Sequence, residues 1–210
     1  MDMRFAKSTK EDKALTIIEA AQKRFALYGV EKTSMREIAA DLRMSKGSIY
    51  YYFPDKENLY KAVIEKEQSV FLKMLEENVS AIADPSDSLV NYALSRINYF
   101  KKLINLGQVR SEAMPELKPL IANTLRKFHE KEKIIVMKII EKGKSNGDYN
   151  IVDSYQVASL YLDLLRGLRS TLLSNKTHLF INEEEYQVLL EKVRGFTELF
   201  IKGLKYRNNK

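Results

Sequence analysis

Apolar residues recur every three to four positions through most of this chain of 210 residues, which is the spacing of helices that bury one face. Strict alternation of apolar and polar residues, which is typical of half-buried strands, is almost absent. Only four prolines and eight glycines interrupt the pattern. We therefore expect an all-α fold of about nine helices.

Helix ends are predicted by residues that stop or cap a helix. The first helix is expected from about Lys10 to Tyr28, because Gly29 is a typical stop residue. Two short helices follow, and a fourth runs from Lys56 to about Ile82. The further helices are predicted at about 88–105, 107–114, 119–144, 153–174 and 183–205.

Residues 33–60 have the most informative pattern. Ser34 and Glu37 have the spacing of a capping box, in which each side chain satisfies a backbone N–H left open at a helix start. Ser45 can cap the next short helix, in which Ile49 would face inward while lysine, tyrosine and small polar residues face outward. A helix-turn-helix presents the first residues of its second helix to base edges in the major groove of DNA.

The segment from residue 11 to residue 71 carries a specific order of residues. In chain order they are Phe25, Gly29, Thr33, Ile38, Ala39, Ser45, Lys46, Gly47, Tyr50, Phe53, Lys56, Glu57 and Leu59. This order resembles the DNA-binding domain of the TetR family of bacterial transcriptional repressors, with the helix-turn-helix at about residues 34–53. Two residues depart from the family pattern, since Arg43 stands where glycine is usual and Tyr52 stands where histidine is common. A left-handed backbone at Arg43 would add strain of the order of 1 kcal/mol; the alternative is that Arg43 meets a phosphate.

The resemblance implies a set of DNA contacts. The residues Lys46, Gly47 and Ser48 at the start of the second helix would lie on the groove floor, and the tyrosines would reach phosphates or thymine methyl groups. Residues at the starts of neighbouring helices would meet phosphates. The implied DNA-binding residues are Ser34, Arg36, Arg43, Ser45, Lys46, Gly47, Ser48, Tyr50, Tyr51, Tyr52 and Lys56. The alternative for the tyrosines is a packed aromatic cluster, although three consecutive tyrosines on a helix cannot all face inward.

The resemblance further implies that residues 72–210 form a helical domain for effector binding and dimerisation. Apolar residues cover more than one face of the last two predicted helices, and their internal glycines each cost about 1 kcal/mol unless another backbone approaches closely. Both features predict a four-helix packing between two copies; the alternative is a monomer with an ordinary core. The predicted interface residues are Leu165, Gly167, Leu168, Leu172, Leu189, Val193, Phe196 and Phe200. A homodimer would place two recognition helices one turn of DNA apart on a near-palindromic operator.

A small-molecule effector is implied by the same resemblance, and composition is compatible with a mostly apolar cavity that has a few polar anchors. Glu132 falls near the centre of an apolar stripe, and a buried carboxylate there needs a partner, for which Arg96 and Arg110 are candidates. Three alternatives follow for Glu132: it is part of an internal ion pair, it is solvated at a bend of the helix, or it anchors a cationic or hydroxyl-bearing effector. The predicted pocket residues are Arg96, Tyr99, Phe100, Arg110, Phe128, Glu132 and Tyr161.

Composition narrows the class of protein. The chain has no cysteine and only two histidines, and no phosphate-binding loop or metal-ligand cluster is visible, so we expect neither an enzyme nor a bound metal or cofactor. No signal peptide and no stretch of roughly 18 apolar residues is visible, so we expect a cytoplasmic protein without membrane contact. The net charge of +7 suits DNA, but residues 1–60 hold 11 Lys/Arg against 9 Asp/Glu, so bulk charge does not locate the site.

The sequence therefore predicts a sequence-specific, DNA-binding transcriptional regulator. By resemblance it would be a homodimeric repressor that is released from a palindromic operator by a small, largely apolar effector. The alternative is a DNA-binding regulator that has no small-molecule effector and is controlled by a protein partner, or one that activates transcription.

Overall fold

The computed structural model describes residues 9–105, 117–173 and 182–205, and every regular element in these ranges is a helix. The all-α prediction is confirmed. In chain order, the eight helices of the described ranges are α1 (Lys10–Tyr28), α2 (Met35–Asp41), α3 (Lys46–Tyr52), α4 (Lys56–Ala81), α5 (Pro85–Asn105), α6 (Leu117–Ser145), α7 (Ser154–Leu173) and α8 (Glu183–Lys205). The helix predicted at 107–114 lies outside the described residues.

The chain divides into two compact units, and the division within α4 falls between Glu67 and Gln68. The described part of the first unit comprises α1 to α3, α4 up to Glu67, and residues 117–122 at the start of α6. The second unit comprises the rest of α4, all of α5, α6 from Asn123 onward, and α7 and α8. None of the helices in the described ranges combines the length and the apolar character needed to cross a bilayer.

Polar side chains fix the starts of the first four helices. Thr9 and Ser34 each form a capping box, because the hydroxyl accepts the N–H three residues later and the carboxylate of that residue accepts in return. Ser45 caps α3 in the predicted way. At the start of α4, Asp55 Oδ1 accepts the backbone N–H of Asn58 at 2.6 Å. Each of these helices therefore begins where a nearby side chain replaces the missing helical hydrogen bond.

Helix ends lie within three residues of the predicted ones wherever the structure describes them. After α1, Gly29 adopts a φ of 82°, a left-handed value that glycine tolerates without strain. The largest difference is at α5, which begins at Pro85 rather than at Ser88. Asp84 Oδ1 accepts two backbone N–H groups of the first turn at 2.7 and 2.9 Å, and proline suits the first helical position because it has no N–H to satisfy.

The core of the first unit is formed by the apolar faces of α1 to α4. Phe25 and Tyr60 meet edge to face, with ring centres 5.7 Å apart. Ile38 of α2 and Ile49 of α3 are fully buried in the same core. Full burial of a side chain of this size stabilises a fold by about 1.5–3 kcal/mol. The two short helices are thus held at a fixed orientation by side chains on their inner faces.

The second unit is built around α8, which packs against α5 and α7. Tyr161 of α7 is fully buried, and its hydroxyl lies 2.9 Å from that of Thr197 on α8. Its ring also contacts Phe196 and Phe200 at centre-to-centre distances of 6.0 and 4.7 Å. One face of α7 and one face of α8 therefore pack against each other within the chain.

A corner after α6 joins three parts of the second unit. The carbonyl of Gly143 accepts two N–H groups from beyond the helix, including that of Tyr149 at 3.1 Å. The buried ring of Tyr149 packs directly on Gly143, and its hydroxyl donates to Ser86 Oγ at 3.3 Å. The N–H of Asn150 donates to the carbonyl of Leu204 at 2.8 Å, which ties the corner to the end of α8.

Candidate nucleic-acid interface

Helix α3 turns two tyrosines outward. Ile49 is buried, whereas Tyr50 is 39% exposed and Tyr51 is 67% exposed. Tyr52 is half-buried and meets Tyr51 edge to face at 5.1 Å. The exposed Lys46 has its Nζ 5.6 Å from the centre of the Tyr50 ring. The run of tyrosines is therefore not a packed core cluster, and its outer members are free to meet a ligand.

The first turn of α3 has a small and open surface. The hydroxyls of Ser45 and Ser48 lie 2.7 Å apart, so each holds the other against the helix. Gly47 is exposed, and a Cβ placed there would meet only Ser45 Oγ, at 3.9 Å. A surface without projecting side chains allows a helix to approach base edges closely.

Lys10 of α1 lies beside the same face and is an addition to the DNA-contact residues predicted from the sequence. Its Nζ is 4.8 Å from the centre of the Tyr51 ring, in cation–π geometry. The two residues are far apart in the chain, and no local spacing signals the contact. Packing of α1 over the helix-turn-helix brings them together, so the positive charge of this face comes from α1 as well as from α3.

The turn before α3 contains the one non-glycine residue with positive φ among the described residues. Arg43 has a φ of 52°, and its side chain is exposed. Its N–H donates to the carbonyl of Ala40 at 3.0 Å, and that of Met44 donates to Ala39 at 2.9 Å. The left-handed backbone anticipated at this position is present, with a strain of about 1 kcal/mol.

An open surface pocket of about 420 Å³ lies between the start of α2, Tyr50 and the start of α4. Ser34 lines it, but the Ser34 hydroxyl already accepts the N–H of Glu37 and donates to its carboxylate. Lys56 also lines it, and its Nζ donates to the carbonyls of Val30 and Glu31 at 3.0 and 3.4 Å. Lys56 therefore holds the loop before α2 and has one further donor for a phosphate.

The acids of α2 are paired within the first unit. Arg24 of α1 donates to both carboxylate oxygens of Asp41 and lies 3.5 Å from Glu37. The hydrogen bond from Arg24 lowers the pKa of Asp41, and hydrogen bonds with Ser34 lower the pKa of Glu37. Arg24 thus neutralises the two carboxylates within the first unit. The exposed Arg36 of the same helix remains available to attract a phosphate.

In the second unit, two predicted pocket residues form a buried ion pair. Arg96 Nε donates to Glu132 Oε1 at 2.8 Å, and the Tyr92 hydroxyl donates to the same oxygen at 2.9 Å. His129 Nδ1 lies 3.2 Å from the other carboxylate oxygen. Burial opposes the charge of Glu132, but Arg96 and these hydrogen bonds outweigh it and lower the pKa of Glu132 to about 2. The internal ion pair is present, and the other candidate partner, Arg110, lies outside the described residues.

The other predicted pocket residues lie in different surroundings. Tyr99 stacks on Phe71 of α4 with ring centres 4.0 Å apart, and Phe128 lies 6.1 Å from both rings. Phe100 is buried. Tyr161 belongs to the core between α7 and α8, where its hydroxyl and ring both have partners. An aromatic group thus lies between α4, α5 and α6, and Tyr161 is not part of it.

The predicted interface residues of α7 and α8 divide between the core and the surface. Leu165, Leu189 and Val193 are buried within the chain, so their side chains offer no surface to a second copy. Leu168, Phe196 and Phe200 are half-buried, Gly167 is exposed, and the side chain of Leu172 lies outside the described residues. The exposed apolar residues on the outer faces of these helices are Leu160, Leu164, Val188 and Leu199.

Comparison with known proteins gives consistent results. The family described as bacterial regulatory proteins, tetR family, matches residues 17–63. A transcriptional regulator from Cytophaga hutchinsonii, known from a crystal structure, is 37% identical; the match covers 92% of this chain and 99% of that one, with a TM-score of 0.83. The HTH-type transcriptional regulator YxaF of Bacillus subtilis is 23% identical over 193 residues, which are 88% of this chain and 98% of that protein.

A likeness of fold extends to more distant structures. The transcriptional regulator FadR of Bacillus subtilis, in complex with stearoyl-CoA, is 18% identical; the match covers 90% of this chain and 98% of that one, with a TM-score of 0.67. The similar proteins are transcriptional regulators and not enzymes.

Proposed function

Because this chain belongs to the TetR family of bacterial transcriptional regulators, which bind DNA, we propose that it is a repressor that binds a near-palindromic operator as a homodimer. A small effector would release it from the operator. The DNA-binding domain would comprise residues 11–71, and residues 72–210 would bind the effector and form the dimer. A regulator of this kind acts in the cytoplasm, where the bacterial chromosome lies.

The exposed face of α3 is the observation that carries the proposal. Tyr50 and Tyr51 project from it, and each has a lysine ammonium within 6 Å of its ring centre. The tyrosine hydroxyls and the Lys10 ammonium would bind phosphate oxygens. Lys46 would reach base edges, and Gly47 lets the helix approach the groove floor. Further proposed phosphate contacts are the exposed Arg36 and Arg43, and Lys56 at the start of α4. The hydroxyl of Ser34 is already used by Glu37, so at Ser34 a phosphate contact would fall to the backbone at the start of α2.

Lysines at this face should differ in their effect on DNA binding. Lys10→Ala should weaken binding to all duplexes and lower the slope of log affinity against log salt by about one, because one phosphate contact is lost. Lys46→Ala should instead reduce discrimination between sites. Fluorescence anisotropy at several salt concentrations, with a duplex selected from a random pool and its scrambled counterpart, measures both quantities.

Lys138→Ala is the matched control, because Lys138 is an exposed lysine on α6 in the second unit. Its salt slope should equal that of the unsubstituted protein. A slope that stays unchanged in Lys10→Ala would contradict a phosphate contact at Lys10, and a protein without preference for any selected duplex would contradict the proposed function.

The proposed dimer contact is the outer apolar surface of α7 and α8. Leu160 and Leu164 lie on one helix, and Val188 and Leu199 lie on the other. Beside them, Cβ atoms added at the glycines of these helices would meet no atom within 4 Å, so a second backbone has room to approach. Large apolar residues exposed on two adjacent helices mark a protein–protein contact surface.

Leu199→Asp should convert a dimer into a monomer at micromolar concentration, because association would bury an unpaired carboxylate. Leu27→Asp is the control, since Leu27 is 74% exposed on α1 while Leu199 is 67% exposed on α8. Sedimentation velocity measures the change. A monomeric unsubstituted protein, or equal dissociation in both variants, would exclude this surface as the interface.

Effector control would follow from thermodynamic linkage. An effector that binds best to a conformation with wrongly spaced recognition helices lowers operator affinity, and the operator must lower effector affinity by the same factor. The stearoyl-CoA bound to the similarly folded FadR supports a small-molecule effector for this chain. We place the effector among α5, α6 and α7, beside the pair of Arg96 and Glu132.

A further inference from the structure

Arg169 of α7 reaches α5, where its guanidinium group lies over an aromatic ring. Its guanidinium carbon lies 4.4 Å from the centre of the Phe100 ring, in cation–π geometry. Its Nε is buried and has no hydrogen-bond partner, and within the described ranges no carboxylate forms an ion pair with it. A buried N–H without a hydrogen-bond acceptor destabilises the fold. An acceptor placed beside Arg169 Nε would therefore be stabilising.

The charged side chains near Arg169 do not supply an acceptor for its Nε. Arg96 lies one turn before Phe100 on α5, and its hydrogen bonds go to Glu132. Arg166, one turn before Arg169, is paired with an aspartate of its own helix. Burial and the positive charge of Arg96 lower the pKa of Arg169 to about 10, so Arg169 still carries its charge at neutral pH. Among the described residues, Glu132 is thus the one carboxylate that acts on the two guanidinium groups of Arg96 and Arg169.

We propose that Arg169 anchors the negative group, a carboxylate or a phosphate, of an effector whose apolar part lies beside Phe100. The inference rests on the proposed effector-controlled function and names the chemical class of the effector. A guanidinium offers Nε and a terminal nitrogen side by side, which matches the two oxygens of such a group. The ligand would supply the acceptor that Nε lacks.

This arrangement changes the role expected for Glu132. The carboxylate is fully buried, accepts from Arg96 and Tyr92, and has His129 beside its second oxygen. A cationic ligand would have to displace Arg96 and leave a buried guanidinium unpaired. An anion avoids that penalty, so Glu132 fixes Arg96 and the ligand charge is matched by Arg169.

Matched probes test the charge of the effector. Decanoate, decyl phosphate and 2-naphthoate are compared with decanol, 2-naphthalenemethanol and decylammonium by isothermal titration calorimetry on the full chain. We expect at least one anion to bind tenfold or more tightly than its neutral counterpart, because it makes charge-assisted hydrogen bonds. Arg169→Gln should remove this preference, while Arg166→Gln, which alters a surface pair, should retain it. The carboxylate and the phosphate probes show which anion is preferred.

Thermal unfolding without ligand shows whether a variant that no longer binds anions is still folded. Arg169→Met should unfold at the same or a higher temperature than the unsubstituted protein, since it removes an unsatisfied buried group, and it should still lose anion binding. The inference is overturned if no probe binds, if neutral or cationic probes bind as well as anions, or if Arg169→Gln keeps the preference. Operator release by a neutral or cationic compound alone would overturn this inference and leave effector control intact, whereas absence of selective DNA binding would overturn the proposed function.

Discussion

The Glu132→Ala variant is expected to lose about 3–5 kcal/mol of unfolding free energy. Removal of the carboxylate leaves Arg96 buried without its ion-pair partner, and it leaves the Tyr92 hydroxyl without its acceptor. The positive charge of Arg169 nearby adds to the penalty. Urea unfolding followed by circular dichroism measures the change.

Two further variants distinguish the loss of the buried ion pair from the effect of shortening a side chain. Glu130→Ala removes an exposed partner of Lys133 on the same helix and should change stability by at most about 1 kcal/mol. Combining Glu132→Leu with Arg96→Met removes both charges and should recover most of the loss. If Glu130→Ala and Glu132→Ala lost equal unfolding free energy, the buried ion pair would contribute no more to stability than the exposed one.

The same pair gives a pH dependence of known sign. The pKa of Glu132 is lowered from 4.5 to about 2 in the folded protein, so its contribution to stability is complete above pH 4.5. This contribution is lost as the pH falls through about 2. Glu132→Gln lacks the titrating group and should lose less stability than the unsubstituted protein between these pH values. A parallel loss in both proteins would contradict the assignment.

The Gly143→Ala variant is expected to lose about 1–3 kcal/mol of unfolding free energy. The added methyl group would overlap the ring of Tyr149, which is buried and cannot move without disturbing its hydrogen bonds. The ring is held by the hydroxyl contact to Ser86 and by the backbone bond to Gly143 itself. Thermal and urea unfolding measure the loss.

Gly47→Ala provides the control for this substitution. A Cβ at Gly47 meets only Ser45 Oγ, at 3.9 Å, so no overlap opposes it. Alanine is about 1 kcal/mol more favourable than glycine inside a helix, and stability should therefore stay the same or rise. A similar loss in both variants would mean that the loss comes from the glycine backbone rather than from the ring of Tyr149.

Local signals predicted most of the fold. Gly29 ends α1, and Ser34 and Ser45 cap the next two helices at the expected residues, because each signal acts within one helical turn. The predicted start of α5 lies three residues too late, because an Asp-Pro pair is typical of a turn as well as of a cap followed by the first helical residue.

The sequence pattern does not predict which residues of different helices come into contact. The proximity of Lys10 to Tyr51 depends on how α1 crosses α3, and periodicity does not specify crossing angles. On α7 and α8, apolar residues cover more than one face, so the pattern could not distinguish the buried Leu165 and Val193 from the exposed Leu199. The surroundings of Arg169 on α7 likewise depend on packing, because Phe100 and Arg96 come from α5 and Glu132 comes from α6.

The caps of α1 to α4 also bear on the order in which the chain acquires structure. Each cap uses an acceptor three residues from its donor, as in Thr9, Ser34, Ser45 and Asp55. Contacts so close in sequence form rapidly, because little chain entropy is lost in closing them. During synthesis the amino-terminal segment leaves the ribosome first. The nascent polypeptide would therefore have its first four helices nucleated while the segments that follow are still being translated.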